Sequence, residues 1–208
     1  MQKEHPPMKL GDTLKGTDAA GNLINSHWEG AVFEIPDRSS TTAVGRRSGR
    51  GRLVMVVRNV ATVALLGKRA VTLKSGGTNY FGQVDGYADV LGEAHVVGVV
   101  DDLLPSAGCA INDLCFVTVK GPTLILTPNA GAAFTGDQAA GAKLVAATAA
   151  ASTTSVAGRL SNVTLVGQTG TTDAFNFATN IVAIALTART TGETSADQLI
   201  HVCGNLIV

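Results

Sequence analysis

Aromatic residues are scarce in this chain: Phe, Tyr and Trp make up 4% of 208 residues, against 45% for all hydrophobic types. The core must therefore be built from Val, Leu, Ile and Ala. A surface that stacks sugar rings or bases on exposed aromatics has only Trp28, Tyr80 and Tyr87 as obvious candidates. Charge is sparse too, at 15% and formally zero net, which argues against the strongly basic surface of a nucleic-acid binder. The cysteines are three, Cys109, Cys115 and Cys203, with no C-x-x-C spacing. That argues against a disulfide framework or a zinc site and fits small buried thiols in a reducing cytoplasm. No apolar run approaches the roughly 18 residues of a membrane span, and "MQKEHPPMKLGD" lacks the apolar stretch of a secretory signal.

Reactive constellations are missing as well. His5, His27, His95 and His201 are far apart and form no H-x-x-x-H pattern. No G-x-S-x-G, Walker loop or complete G-x-G-x-x-G occurs; "GRGRLV" from Gly49 has the first two glycines only and leads into a strand. Asp101-Asp102 reads as a turn cap, since no third carboxylate has the spacing for a metal. The "NVT" at Asn162 matches a glycosylation acceptor but has no secretory signal to give it meaning. The expectation is a non-enzyme with no catalytic, cofactor or metal residues.

What the chain does have is strand pattern and turns, with 24 glycines. "AVFEIP" (31–36), "LVMVV" (53–57), "VATVALL" (60–66), "RAVTLK" (69–74) and "AHVVGVV" (94–100) are β-branched runs between turn formers. "LCFVTVKGPTLILTP" (114–128) reads as two strands meeting at Gly121-Pro122, and "NYFGQVDGYADV" (79–90) as a turn-rich connector. In "KLVAATAAASTTSVAGRLSNVTLVG" (143–167) the alanines favour helix and the Thr, Ser and Val favour strand; a hairpin is the reading, with one short helix left open. "NIVAIALTA" (180–188) and "LIHVCGNLIV" (199–208) close the chain as strands. "VVGVVDD" then "DLCFVTVKG" shares a grammar of strand, turn, Asp, alternating strand and Gly with "IVAIALT" then "DQLIHVCG", either duplication or recurrent hairpin grammar. These patterns predict an all-β protein of antiparallel sandwich or barrel-like domains, under about a fifth helical. The expected regions are an extended N-terminal arm (1–30), a β-rich region with an Arg-rich loop (31–90) and a second β-rich region (91–208).

Charge is unevenly spread along the chain. Residues 1–80 hold twelve Lys/Arg and six Asp/Glu, a surplus of six positive charges; residues 81–208 hold four and ten, the opposite surplus. Either solvated charges have segregated by chance or copies of the chain meet basic half to acidic half. Within 37–52, read as a loop, "GRRSGRGR" supplies Arg46, Arg47, Arg50 and Arg52. Arginines on such a loop suit carboxylates across a protein interface, or simply solvent; phosphates are the weaker alternative, because no aromatics are interleaved. Trp28 suits an anchor of the arm on a partner, or ordinary packing. Trp28, Arg46, Arg47, Arg50 and Arg52 are the candidate interface residues.

The second half carries a resemblance. "NIVAIALTARTTGETSADQLIHVCG" (180–204) resembles the closing segment of the small β-rich head decoration, or cement, proteins of tailed bacteriophages, in which a strand of the type G/A-x-A-L-T-A turns through Gly into a last alternating strand. "AGAKLVAATAAAS" (140–152) is similar to the segment before it, and "VVGVVDDLL" (96–104) and "INDLCFVTVKGP" (111–122) to the group's earlier strands. The likeness covers about residues 90–208. It implies a structural protein on the outer capsid surface that ties capsomers together, binding the major capsid protein and itself as a homotrimer. It would be made in the bacterial host cytoplasm and carried in the virion, with no membrane or nucleic-acid partner and no cofactor. Another virion β protein, such as a tail-tube subunit, or a carbohydrate-binding adhesin module are the alternative readings.

Overall fold

The computed structural model describes residues 5–24, 26–38, 46–74, 82–88, 95–126, 139–146, 158–162, 181–188 and 197–203. The protein is all-β, with no helix among the described residues. Ten strands follow in chain order: β1 (Val32–Arg38), β2 (Arg46–Asn59), β3 (Ala70–Leu73), β4 (Gln83–Tyr87), β5 (Val96–Val100), β6 (Leu114–Leu126), β7 (Lys143–Ala146), β8 (Leu160–Asn162), β9 (Ala183–Ala185) and β10 (Asp197–Val202).

Five of these strands close on one another. β2 pairs β4, β4 pairs β3, β3 pairs β5, β5 pairs β6, and β6 returns to β2. All but the short β2–β4 contact are antiparallel, and the ring leaves no free edge between its members. Period-two alternation explains why these sequences suit it. Met55 and Val57 of β2 and Cys115, Val117 and Val119 of β6 point inward to meet Val71, Val84, Val97 and Val100, while Val54, Val56, Leu114 and Phe116 point outward. Both sets are buried because the barrel is covered outside. With so few aromatics, the interior is filled mainly by valine and leucine, with Met55, Ala61, Cys109 and Cys115 among them.

A bulge sets the face of β5. Val71 lies opposite Gly98 and Thr72 opposite Val96, so Val97 is the extra residue. Val97 and Val100 thereby reach the barrel interior, and Val96 and Val99 the outer layer. Gly98 is required there, because a Cβ would lie 2.2 Å from the Thr118 carbonyl oxygen.

The outer layer over β3 and β5 is a second antiparallel sheet of β10, β9, β7 and β8, attached through β6. It packs Ile125, Leu144, Leu160, Val182, Ala185, Ile200 and Val202 on Ala70, Val96 and Val99. The expected pair of strands in 114–128 is one strand that changes partner: 114–120 face β2, and 121–126 face β10. Gly121 marks the change, with φ 105°. On the opposite flank, Met8, Leu10, Leu14, Trp28, Phe33 and Ile35 pack on the outward residues of β2 and β6.

Three further expectations are corrected. The loop at 37–52 is largely strand, because β1 runs to Arg38 and β2 starts at Arg46. The connector 79–90 contains β4, whose Val84 fills the barrel. The run 60–66 is no strand: Asn59 turns the chain, accepting from Ala61 N and donating to Val63 O, and Leu65 makes one bridge to Cys109 across the barrel end. The expected hairpin in 143–167 appears as the β7–β8 pair; for the one short helix left open in that stretch, residues 147–157 and 163–167 lie outside the described residues.

Candidate interaction surface

Arg52 lies where β2 leaves the barrel, one residue before Leu53. It is 1% exposed and is the largest fully buried side chain among the described residues. Its Nη1 donates to Asp102 Oδ1 at 2.8 Å and to the Thr123 hydroxyl at 3.3 Å, and its Nη2 to Asp101 Oδ1 at 3.4 Å. Backbone amides complete the site: Gly11 N donates to Asp101 Oδ2 at 2.6 Å, Leu103 N to Asp101 Oδ1 and Leu124 N to Asp102 Oδ2. Two carboxylates face one guanidinium in a fully buried site. Burial pushes the Asp101 carboxyl up to about 6, against the pull of Arg52 and the Gly11 amide and with a further push from Asp102. Arg52 is thus withdrawn from the set of interface candidates. Its place in a continuous strand turns it into its own domain, where the acid pair, expected only to cap a turn, holds it.

The N-terminal segment reads from sequence as an extended arm or a loosely attached strand; residues 5–24 lie on the barrel, with one antiparallel bridge from Leu14 to Leu114. Leu14 and Leu114 exchange backbone hydrogen bonds at 2.9 and 2.8 Å. Asp113 accepts from Lys15 Nζ at 2.8 Å and from Gly16 N at 3.1 Å. Arg58 donates to Glu29 Oε2 and to the carbonyls of Gly16, Asn112 and Ile24, at 2.7–3.1 Å. Gly16 permits the approach, since a Cβ there would lie 1.7 Å from the Asn112 oxygen. Arg58, Asp101 and Asp113 are therefore clasps that local pattern reading missed. The signal available was the opposite charge surplus of the two halves. Arg52–Asp101/Asp102, Lys15–Asp113 and Lys68–Asp197 all join a first-half cation to a second-half anion, so part of that polarity is neutralised within one chain.

Trp28 is partly buried and stacks in a row of rings: its centroid lies 4.4 Å from His27 and 5.8 Å from Phe33, which meets Phe116 edge-on at 6.5 Å. Of the other aromatics with a candidate role, Tyr87 uses its hydroxyl on the barrel end, accepting from Leu66 N at 2.6 Å and donating to Ala64 O at 3.0 Å. Its ring lies 5.3 Å from the Arg69 guanidinium, so it offers no open stacking platform. Tyr80 lies outside the described residues.

Arg46, Arg47 and Arg50 share one feature of the backbone. Residues 46–52 of β2 pair only with β1 among the described pairings, with Arg38 opposite Arg46 and Pro36 opposite Gly51. The two strands form a ribbon running on from the barrel. Arg50 is exposed on it. Among the described residues no three His, Cys, Asp or Glu converge as metal ligands. Comparison with protein-family models, with curated proteins and with solved structures found no match.

Proposed function

We propose that this is a structural virion protein, a decoration or cement protein that binds the outer surface of a tailed-phage head and bridges capsomers as a homotrimer, without enzymatic activity. The observation that carries the reading is the two-stranded ribbon of β1 and β2 running on from a closed barrel with Arg38, Arg46, Arg47 and Arg50. A ribbon of two strands gains from a covering partner, and arginines favour one rich in carboxylates, through charge-assisted hydrogen bonds of about 1.5–3 kcal/mol each. Many symmetry-related contacts then add through multivalency. The resemblance of segments within about residues 90–208 to decoration proteins supports the same reading, and a barrel whose edges are closed suits dense packing in a lattice.

The test is binding of a variant with Arg46, Arg47 and Arg50 changed to Ser to heads assembled from the cognate major capsid protein. Arg52 stays unchanged because it holds the fold. Cosedimentation at physiological salt should show strongly weakened decoration while circular dichroism stays native. Decoration as tight as that of the parent would remove the ribbon from the interface, and labelled protein on tails rather than heads in negative stain would favour a tail-tube subunit.

A further inference from the structure

We infer that the end of the barrel bearing Leu23, Ile24, Val63 and Ile111 is a contact surface between copies of this chain. The inference rests on the self-association in the reading above and names where it occurs; it is independent of what the ribbon binds. Among the described residues six large hydrophobic side chains are exposed, and these four, at 60%, 43%, 51% and 49%, are gathered at one place. Val63 and Ile111 lie two positions beyond the Leu65–Cys109 bridge, in the same direction because the bridge is antiparallel. Asn59 holds the two segments together, its Nδ2 donating to the Val63 and Cys109 carbonyls at 2.9 Å each. Arg58 ties in the other two: its Nη1 donates to Asn112 O, next to Ile111, at 2.9 Å, and its Nη2 to Ile24 O at 2.7 Å. Single exposed aliphatics are ordinary on a protein surface, whereas a cluster of them marks an interaction site.

Charge decides what covers the patch. The charged groups around it are satisfied inside the chain. Arg58 pairs with Glu29 and Lys15 with Asp113, both at 2.8 Å. The Asp18 carboxylate is turned back on its own hairpin, accepting from the Ala20 and Asn22 amides and from Asn22 Nδ2. The surface that remains is apolar with its ionic groups already matched. It therefore selects no charged partner and can face its own copy without like-charge repulsion.

The other end of the molecule has the opposite character. β2 runs from the ribbon at 46–52 to Asn59 at the patch, and the stretch from Arg52 to Asn59 spans roughly 23 Å. A ribbon carrying Arg46, Arg47 and Arg50 brings like charges together if it meets itself, so it suits a different partner. Self-association is thereby directed to the neutral apolar end. Four half-exposed aliphatics cover far less than the about 800 Å² per partner of a standard interface, so the contact is weak in dilute solution. It gains from repetition when a common partner also holds the copies side by side.

The test is sedimentation velocity of the full chain over a concentration series reaching the millimolar range. The parent should shift to a larger species as concentration rises. Ile111→Asp and Ile111→Lys, each at an exposed position, should stay monomeric over the same series while circular dichroism and the urea midpoint match the parent's. Val63→Ser, which adds no charge, should weaken association in the same direction. Mixing Ile111→Asp with Ile111→Lys in equal amounts should restore the larger species, because opposite charges then face each other. The variant with Arg46, Arg47 and Arg50 changed to Ser should associate as the parent does. A parent that stays monomeric throughout would overturn this contact and the homotrimer of the reading above together. A parent that associates while either charged variant does so equally, a mixture that stays monomeric, or loss of association in the ribbon variant would overturn the contact alone.

Discussion

At the scale of single residues, the energetics centre on a charge imbalance. Arg52 contacts two buried carboxylates, and burial outweighs its pull on Asp101. Asp101, at about 6 against an ordinary 3.8, binds a proton in the folded state more readily than in the unfolded state. The folded protein therefore holds more protons between those values. Asp101's favourable contribution is complete below about pH 3.8 and is lost as pH rises through about 6, on the order of 2–3 kcal/mol. Urea unfolding at pH 4.5 and 7.5 of the parent and of Asp101→Asn measures this, because subtracting the variant removes the other carboxylates. The parent should lose more stability than the variant on going to pH 7.5; equal losses would refute the assignment. Arg52→Met should be much worse, by about 3–5 kcal/mol at pH 7, because it removes the guanidinium that both buried carboxylates contact. Neither outcome was legible locally. Arg52 and Asp102 are 50 positions apart, and "GRGR" looks like a solvated loop until the strand carries it inside.

At the scale of the element, alternation was a sound guide where a strand had neighbours to alternate between. Residues 53–57, 70–73 and 96–100 form strands as the pattern predicts. It misled at 60–66, equally rich in Val and Leu, because the Asn59 side chain takes the backbone out of the sheet. It also missed β4, where Asp85 and Gly86 look like a turn but occupy a strand between β3 and β2. Of the proposed interface, the cluster of arginines was legible; that they share a ribbon depends on pairing to β1, which no local pattern carries. Glycines make two pairings testable. Gly98→Ala should cost about 2–3 kcal/mol, since its Cβ meets fixed backbone of β6; an unchanged urea midpoint would show that the bulge can shift. Gly16→Ala should free the N-terminal segment without unfolding the barrel, read as rapid tryptic cleavage at Lys9 and Lys15 in the folded protein. Resistance equal to that of the parent would mean that the clasp on Asn112 yields.

At the scale of the whole molecule, β6 belongs to both the barrel and the second sheet, and the barrel draws on strands from both predicted regions, 31–90 and 91–208. A unit whose two cores share one strand should unfold in a single transition, with calorimetric and van't Hoff enthalpies equal. Two resolved transitions would show that the sheet of β7–β10 stands apart. The shared strand also sets a schedule for synthesis. β2 must wait for its partner, since Leu53 pairs with Lys120, 67 positions later. At about 5–20 residues per second that is roughly 3–13 s. For that interval Met55 and Val57, on the face turned to the barrel interior, have no β6 to cover them, and the nascent chain offers an uncovered aliphatic face at the ribosome. A folding helper that binds such strands would have its main opportunity then, before Leu114 emerges.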